Sequence, residues 1–171
     1  SSTWEVKSLA VKEGKAEVGN PGDNPGGNLG EGEYINETFA TSFGSFTVKT
    51  IKGLPWIIDY SCAKATGYVS PNTTPSESYI VSQPINLSSS KGACVNFDYI
   101  LRYYTNYGAA KPGVADKVLI TATYTGDPST TTWTDITGTL TEGSDWNTWY
   151  KYSVDVPATL IGKDNVVLAL Y

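Results

Sequence analysis

Apolar and polar side chains alternate along many short stretches of this chain, and almost no stretch repeats its apolar positions with a helical period. Two runs show one apolar face most clearly: Val118, Ile120, Ala122 and Tyr124 in VLITATY, and Ala93, Val95, Phe97 and Tyr99 in ACVNFDYIL. A period of two residues is typical of β-strands, because successive side chains point to opposite faces of a sheet. Both runs are therefore predicted to be strands with one buried face.

Further runs of similar length recur between clusters of Gly, Pro, Asn and Ser. They are YINETFA, SFTVKTI, PWIIDYSCAKA, SYIVSQPINL, TWTDITGTL, WYKYSVDVP and NVVLALY. Many short β-branched and aromatic runs at this spacing favour an all-β fold. The chain is predicted to form a jelly-roll β-sandwich of two antiparallel sheets.

A segment rich in Gly, Pro and Asn divides the chain near its start. VGNPGDNPGGNLGEGE, residues 18–33, lacks the side chains that build a core and is predicted to be a linker. Residues 34–171 then form the sandwich domain. Before the linker, TWEVKSLAV places Trp4 and Val6 among polar neighbours, so residues 1–17 are predicted to supply one further strand.

Length, charge and residue usage narrow the functional classes. The chain has 171 residues, enough for one ordinary domain, and a formal net charge of −5. Nucleic-acid affinity comes largely from Lys and Arg, so no nucleic-acid partner is expected. Without histidine, neither a Ser/His/Asp triad nor a Cys/His zinc site is expected. No apolar run approaches the roughly 20 residues of a transmembrane helix, and no transmembrane segment is predicted.

The two cysteines, Cys62 and Cys94, allow two interpretations. A disulfide between them would close a loop of about 32 residues and stabilise the fold by about 3–4 kcal/mol. Alternatively, they are two separate buried thiols that pack as small apolar residues. Their spacing does not decide, because a disulfide depends on backbone geometry.

Aromatic residues in two long loops are the candidate binding residues. Loops 103–116 and 141–152 connect predicted strands, and loops held by rigid sheets commonly carry binding sites. Exposed rings stack on the apolar face of a sugar, whereas the alternative for these residues is packing. The candidates are Tyr103, Tyr104, Tyr107 and Trp146. The other tryptophans of strand runs, predicted to be core or sheet-edge residues, are Trp56, Trp133 and Trp149.

The acidic residues suggest a different function. Hydrolysis of a glycoside by two carboxylates needs no histidine, but the Asp and Glu residues are scattered over strand ends and turns. Solvated or turn-capping carboxylates explain that distribution. The chain is therefore predicted not to be an enzyme, with a carboxylate-based glycoside hydrolase as an alternative.

The order of several motifs resembles the choice-of-anchor J domain, a family related to cleaved-adhesin modules and to MAM-like jelly rolls. SYIVSQPINLSSS with the strand after it is the most specific match, and LPWIIDY and WNTWYKYSVDVP also lie in the family's order. The resemblance covers roughly residues 34–171. It implies a galactose-binding-like jelly roll on secreted or outer-membrane-anchored proteins, such as lipoproteins, typically of Bacteroidetes. Adhesive or carbohydrate-binding roles without catalysis are implied as well.

The resemblance also bears on metals and partners. Some relatives hold a structural calcium near an acidic residue of the first strand, and Glu37 is the matching position. One glutamate supplies few of the roughly 6–8 oxygens that Ca²⁺ takes, so no cofactor is expected. The implied partner is a glycan or another ligand on a host or cell surface. The expected function is a non-catalytic binding module.

Family members continue past the equivalent of NVVLALY into a last strand, which SSTWEVKSLAVKEG resembles. One departure is Lys7, which stands where many members have an acidic residue. Residues 1–17 are expected to complete a sheet in cis through the linker, to end a preceding similar domain, or to insert into another copy. Strand exchange between copies would make the chain an assembly module, which is the alternative function.

Overall fold

The computed structural model describes residues 2–17, 32–104 and 116–171. In chain order the strands are β1 Thr3–Glu13, β2 Glu33–Glu37, β3 Phe46–Lys52, β4 Ile57–Asp59, β5 Cys62–Thr66, β6 Tyr68–Val69, β7 Asn72–Thr73, β8 Glu77–Ser82, β9 Ala93–Arg102, β10 Val118–Thr121, β11 Thr134–Asp135, β12 Tyr150–Asp155 and β13 Val167–Leu170. A 3₁₀ turn, Ala158–Leu160, lies between β12 and β13.

These strands form two antiparallel sheets and a small hairpin. Sheet A has the order β12-β9-β1-β5-β4, with β2 also paired to β1. Sheet B has the order β11-β10-β13-β8-β3, and β6 pairs with β7. Buried side chains from both sheets share one core. The prediction of an all-β sandwich of antiparallel sheets is therefore confirmed.

The N-terminal strand β1 lies in the middle of sheet A. One of its edges pairs with β9 along its whole length. Its other edge pairs first with β5 and then with β2. The strand predicted for residues 1–17 therefore pairs within its own chain in this structure.

A β-bulge in β1 changes which of its residues face the core. The register with β9 shifts between Lys7 and Ala10, and Ser8 at the shift has a φ of 53°. An extra residue in one strand moves the following side chains to the opposite face. The core-facing residues before and after the bulge are Trp4, Val6, Leu9 and Val11.

Trp4 is fully buried and lies among aromatic rings from several elements. Its ring centroid is 5.6 Å from that of Trp56 and 6.0 Å from that of Phe97. Phe97 in turn stacks on Tyr152 with a centroid distance of 4.4 Å. Ring pairs at these distances stabilise beyond their burial alone. Trp4 thus connects β1 with β9, β12 and the segment before β4.

A second apolar cluster covers the outer face of sheet B. It consists of Val81, Leu119, Val167 and Ala169, with Tyr79, Tyr124, Trp133 and Tyr171 packed around them. Tyr124 is therefore on the opposite side of sheet B from Val118 and Ile120, which corrects its predicted face. The reason is that β10 ends at Thr121, and the alternation ends with the strand.

The predicted linker, residues 18–33, lies mostly outside the described residues, since residues 18–31 are not described. β2 begins at Glu33, one residue before the predicted start of the domain. The carbonyl oxygen of Gly32 accepts a hydrogen bond from the backbone N–H of Glu13 at 2.7 Å. The chain therefore enters β2 directly beside the end of β1.

The disulfide that was one interpretation of the two cysteines is not formed, because both thiols are free and buried. Cys62 lies in β5 and Cys94 in β9, on opposite sides of β1. Two strand spacings separate their backbones by at least about 9–10 Å, whereas bridged Cα atoms lie within about 7 Å. Burial raises the pKa of the Cys62 thiol to about 12, so it behaves as an apolar side chain.

Replacing Trp4 with Ala should remove the largest buried side chain of β1 from the core. We expect the change to lower the free energy of unfolding by about 3–5 kcal/mol, measured by urea denaturation. Trp146→Ala is the matched control, because removal of an exposed side chain should change the free energy of unfolding by less than about 0.5 kcal/mol. Equal losses in the two variants would contradict the central role of Trp4.

Candidate functional site

The side chains of Arg102, Tyr103 and Trp146 meet at one end of sheet A, and we call these three residues the aromatic cluster. The guanidinium carbon of Arg102 lies 4.9 Å from the ring centroid of Tyr103 and 5.0 Å from that of Trp146. The two ring centroids are 6.3 Å apart, with planes inclined by 57°. A cation within about 6 Å of a ring centroid is attracted to the ring face. The guanidinium therefore holds the two rings beside each other.

A tight turn presents Trp146. Asp145 Oδ1 accepts hydrogen bonds from the backbone N–H groups of Asn147 and Thr148, both at 2.8 Å. Asp145 Oδ2 accepts one from the Thr148 hydroxyl at 3.1 Å. These backbone hydrogen bonds favour the ionised form and lower the pKa of Asp145. The turn leaves the Trp146 side chain 41% exposed.

The loop that carries Trp146 is fastened to β9. The backbone N–H of Gly143 donates to the carbonyl oxygen of Leu101 at 2.8 Å. The backbone N–H of Thr141 donates to the Tyr99 hydroxyl at 2.7 Å. Because Leu101 directly precedes Arg102, these two hydrogen bonds hold the loop against the strand end that carries the aromatic cluster.

Tyr103 has an unusual backbone conformation. Its φ is 62°, in the left-handed region, and its side chain is 40% exposed. A residue with a Cβ in that region costs about 1–3 kcal/mol and persists only where the surroundings enforce it. The end of β9 therefore holds the Tyr103 ring beside Trp146 at an energetic cost to the fold.

The four aromatic residues predicted for binding have different surroundings. Tyr103 and Trp146, which are 43 positions apart in the sequence, lie together in the aromatic cluster. The side chain of Tyr104 instead packs against the main core. Tyr107 lies outside the described residues. Arg102, which the sequence analysis missed, is the residue that joins the two rings.

A second contact between a cation and a ring lies on the outer face of sheet A. The Lys7 Nζ atom is 4.0 Å from the ring centroid of Trp149. Nearby, Lys151 forms an ion pair with Asp98, which is opposite both Lys7 and Lys151 in the strand register. Trp149 was predicted to be a core or sheet-edge residue, and it is half-buried beneath an ammonium group.

Glu5 and Asp116 are carboxylic acids with a raised pKa. Burial raises the pKa of Glu5, which is 6% exposed, whereas Lys64 and a hydrogen bond with the Cys62 thiol lower it. Burial raises the pKa of Asp116 to about 6, and a hydrogen bond with Ser2 opposes the rise. Asp116 Oδ2 has no hydrogen-bond partner among the described residues. Ser2 adjoins Thr3, which is opposite Arg102, so Asp116 lies at the same end of the sandwich as the aromatic cluster.

Glu37, the calcium candidate, closes a turn. Its Oε1 atom accepts a hydrogen bond from the backbone N–H of Ser45 at 2.9 Å. Gly44 lies so close that an added Cβ would be 2.0 Å from a carboxylate oxygen of Glu37. Over the three described ranges, no three Asp, Glu or Cys side chains converge as metal ligands would. The described surroundings of Glu37 do not fit the ligand set that Ca²⁺ takes.

Comparison of the chain with protein-family models, with curated proteins and with solved structures yields no match. The resemblance to choice-of-anchor J domains stays an expectation from the sequence. No helix within the described ranges is long and apolar enough to cross a membrane.

Asp116 should make the stability of the protein depend on pH. Its pKa rises from 3.8 to about 6 on folding, so ionising it destabilises the native state by up to about 3 kcal/mol above pH 6. Below pH 4 the carboxyl is protonated in both states and this cost disappears. Asp116→Asn should therefore raise the free energy of unfolding by about 1–3 kcal/mol more at pH 7.5 than at pH 3.5.

The quantity to compare is the change that Asp116→Asn makes in the free energy of unfolding at pH 7.5 and at pH 3.5, each measured by urea denaturation. Asn tolerates the φ of 53° at position 116, and any gain from that preference is independent of pH. Asp164→Asn, a change on an exposed turn, controls for the loss of one negative charge. An equal effect of Asp116→Asn at both pH values would show that its ionisation does not oppose folding.

Proposed function

We propose that the protein is a non-catalytic carbohydrate-binding module whose site is the aromatic cluster. The observation that carries the proposal is that the Tyr103 and Trp146 rings lie side by side and exposed, held by Arg102 between them. Tyr and Trp combine an apolar ring with a polar tip. Such rings stack on the apolar face of a sugar while neighbouring donors bind its hydroxyl groups.

The surroundings of the aromatic cluster support binding in preference to packing. Backbone hydrogen bonds fix the loop of Trp146, and the strained conformation of Tyr103 is maintained by the fold. A preformed site loses little conformational entropy when a ligand binds. The Arg102 guanidinium adds a rigid set of N–H donors, which bind hydroxyl or carboxylate oxygens. Such a site is what we expect in a secreted or cell-surface protein that binds glycans on another surface.

Removing either ring should abolish glycan binding. We expect Tyr103→Ala and Trp146→Ala to lose retention in affinity electrophoresis on the polysaccharides that retain the unchanged protein, selected first on a glycan array. Tyr60→Ala is the matched control, because Tyr60 is 83% exposed in the turn between β4 and β5. Thermal unfolding of each variant should match that of the unchanged protein to within a few degrees.

Two outcomes would overturn this proposal. In the first, no glycan retains the unchanged protein. In the second, the Tyr103→Ala and Trp146→Ala variants are retained as strongly as the Tyr60→Ala variant. A shared loss in all three variants would show a nonspecific effect of exposed aromatic area.

The central position of β1 favours a second candidate function, that of an assembly module. Every strand that pairs with β1 begins at or after Glu33. The same edges of β9, β5 and β2 would accept β1 from another copy, since strand exchange reuses the native contacts. Exchange would join copies through the central strand of sheet A.

A chain beginning at Gly32, mixed with a peptide of residues 1–17, tests whether β1 complements the remaining strands in trans. We expect the shortened chain alone to lack cooperative unfolding, and the peptide to restore it. A peptide with Trp4→Ala should bind at least about 100-fold more weakly, by conversion of the core loss. Size-exclusion chromatography of the full chain then reports assembly. A monomer at every concentration would exclude this function.

A further inference from the structure

We infer that the outer face of sheet A binds an acidic polysaccharide, whose carboxylate groups contact Arg102 at one end and Lys7 at the other. The inference rests on the proposed carbohydrate binding and names its substrate class: chains of uronic acids or similarly carboxylated sugars. The observation behind it is that two cations on this face each lie over tryptophan rings, in the Arg102–Trp146 and Lys7–Trp149 pairs.

The strand register places both cations on the same face. Trp4 and Val6 point into the core, so Thr3, Glu5 and Lys7 point outward before the bulge. Arg102 is opposite Thr3, and Asp98 is opposite Lys7. Four residues at about 3.3 Å each separate these two positions by about 13 Å along the sheet. A sugar ring is about as wide as the tyrosine ring on which it stacks, so this distance spans more than one sugar.

The tryptophans are spaced in the same way. Trp146 and Trp149 are three residues apart in the segment that leads into β12. β12 pairs with β9 from Tyr150 onward, so Trp149 precedes the paired region and Trp146 lies farther out, beside Arg102. The two pairs of a cation and a tryptophan ring therefore follow one another along β9, in the direction that one polysaccharide chain would take.

The charges around the two cations favour an anionic ligand. Within the described ranges, no ion pair joins either Arg102 or Lys7 to a carboxylate. Asp98 pairs with Lys151, and Asp145 accepts the hydrogen bonds of its own turn, although Arg102 also lowers the pKa of Asp145. Glu5, between Thr3 and Lys7 on this face, is buried, and burial raises its pKa. The planar guanidinium of Arg102 binds a carboxylate through two parallel hydrogen bonds. Two cations that lie over rings and pair with no carboxylate among the described residues complement a chain that carries a carboxylate on each sugar.

The net charge of −5 opposes the approach of a polyanion to this protein. A protein of this charge repels a polyanion at a distance, so attraction must come from the local cations. Binding should therefore weaken when either cation is neutralised and when salt screens the charges. Binding of a neutral polysaccharide should depend neither on salt nor on the charge of Lys7.

The test compares two forms of one polymer, polygalacturonate and its fully methyl-esterified form, which differ only in the charge of the carboxyl group. We expect affinity electrophoresis of the full chain to show retention on polygalacturonate at least tenfold stronger than on the ester. Lys7→Gln and Arg102→Gln should each weaken retention on polygalacturonate by about tenfold, because each removes one charge-assisted contact. Lys7→Gln should leave retention on the ester unchanged, because Lys7 lies outside the aromatic cluster.

Lys49→Gln is the matched control, since it removes the same charge from β3 in sheet B. Equal weakening by all three substitutions would overturn the inference and indicate a general charge effect. Equal retention on polygalacturonate and its ester would overturn it while leaving the proposed carbohydrate binding intact. Retention on no polysaccharide, charged or neutral, would overturn both. Circular dichroism and thermal unfolding confirm that each variant is folded.

Discussion

The structure depends on the insertion of β1 between β9 and the β5–β2 edge of sheet A. A central strand forms hydrogen bonds along both edges and buries one face, so its register fixes the alignment of everything beside it. Here the core-facing side of β1 contributes Trp4, whose ring lies against Trp56 and Phe97. The bulge at Ser8 then allows a single long strand to serve two partners with the correct face inward.

The same register determines what the outer face presents. Thr3 opposite Arg102 and Lys7 opposite Asp98 place two cations on one surface, while pairing of β12 with β9 brings the loop of Trp146 and Trp149 to its edge. None of these contacts is local in sequence, because Arg102 and Trp146 are joined only through the pairing of distant strands. A slip of one residue in β1 would reverse its faces and remove the Lys7–Trp149 contact together with the core.

Much of the fold was predictable, because alternation of apolar residues directly reflects burial of one strand face. The buried face was predicted correctly for Ala93, Val95, Phe97 and Tyr99, which all face the core. The face of Tyr124 was predicted wrongly, because the pattern does not show where a strand ends. Tyr103 and Trp146 were chosen as exposed loop aromatics, but their proximity depends on strand pairing. No sequence pattern marked Arg102 as a site residue, although it is a cation between a buried strand and an aromatic loop.

An aromatic residue that packs in a core is buried, whereas one that binds a ligand stays exposed. The aromatic residues singled out from the sequence fall into both groups in the structure. Tyr104 packs against the core, and Trp56 is almost fully buried, so burial of apolar area explains both. Burial does not explain Tyr103 or Trp146, which remain 40% and 41% exposed. Tyr103 also has a left-handed backbone that lowers stability without a compensating gain in burial. Two exposed rings held against one cation at such a cost support the proposal that these rings contact a ligand.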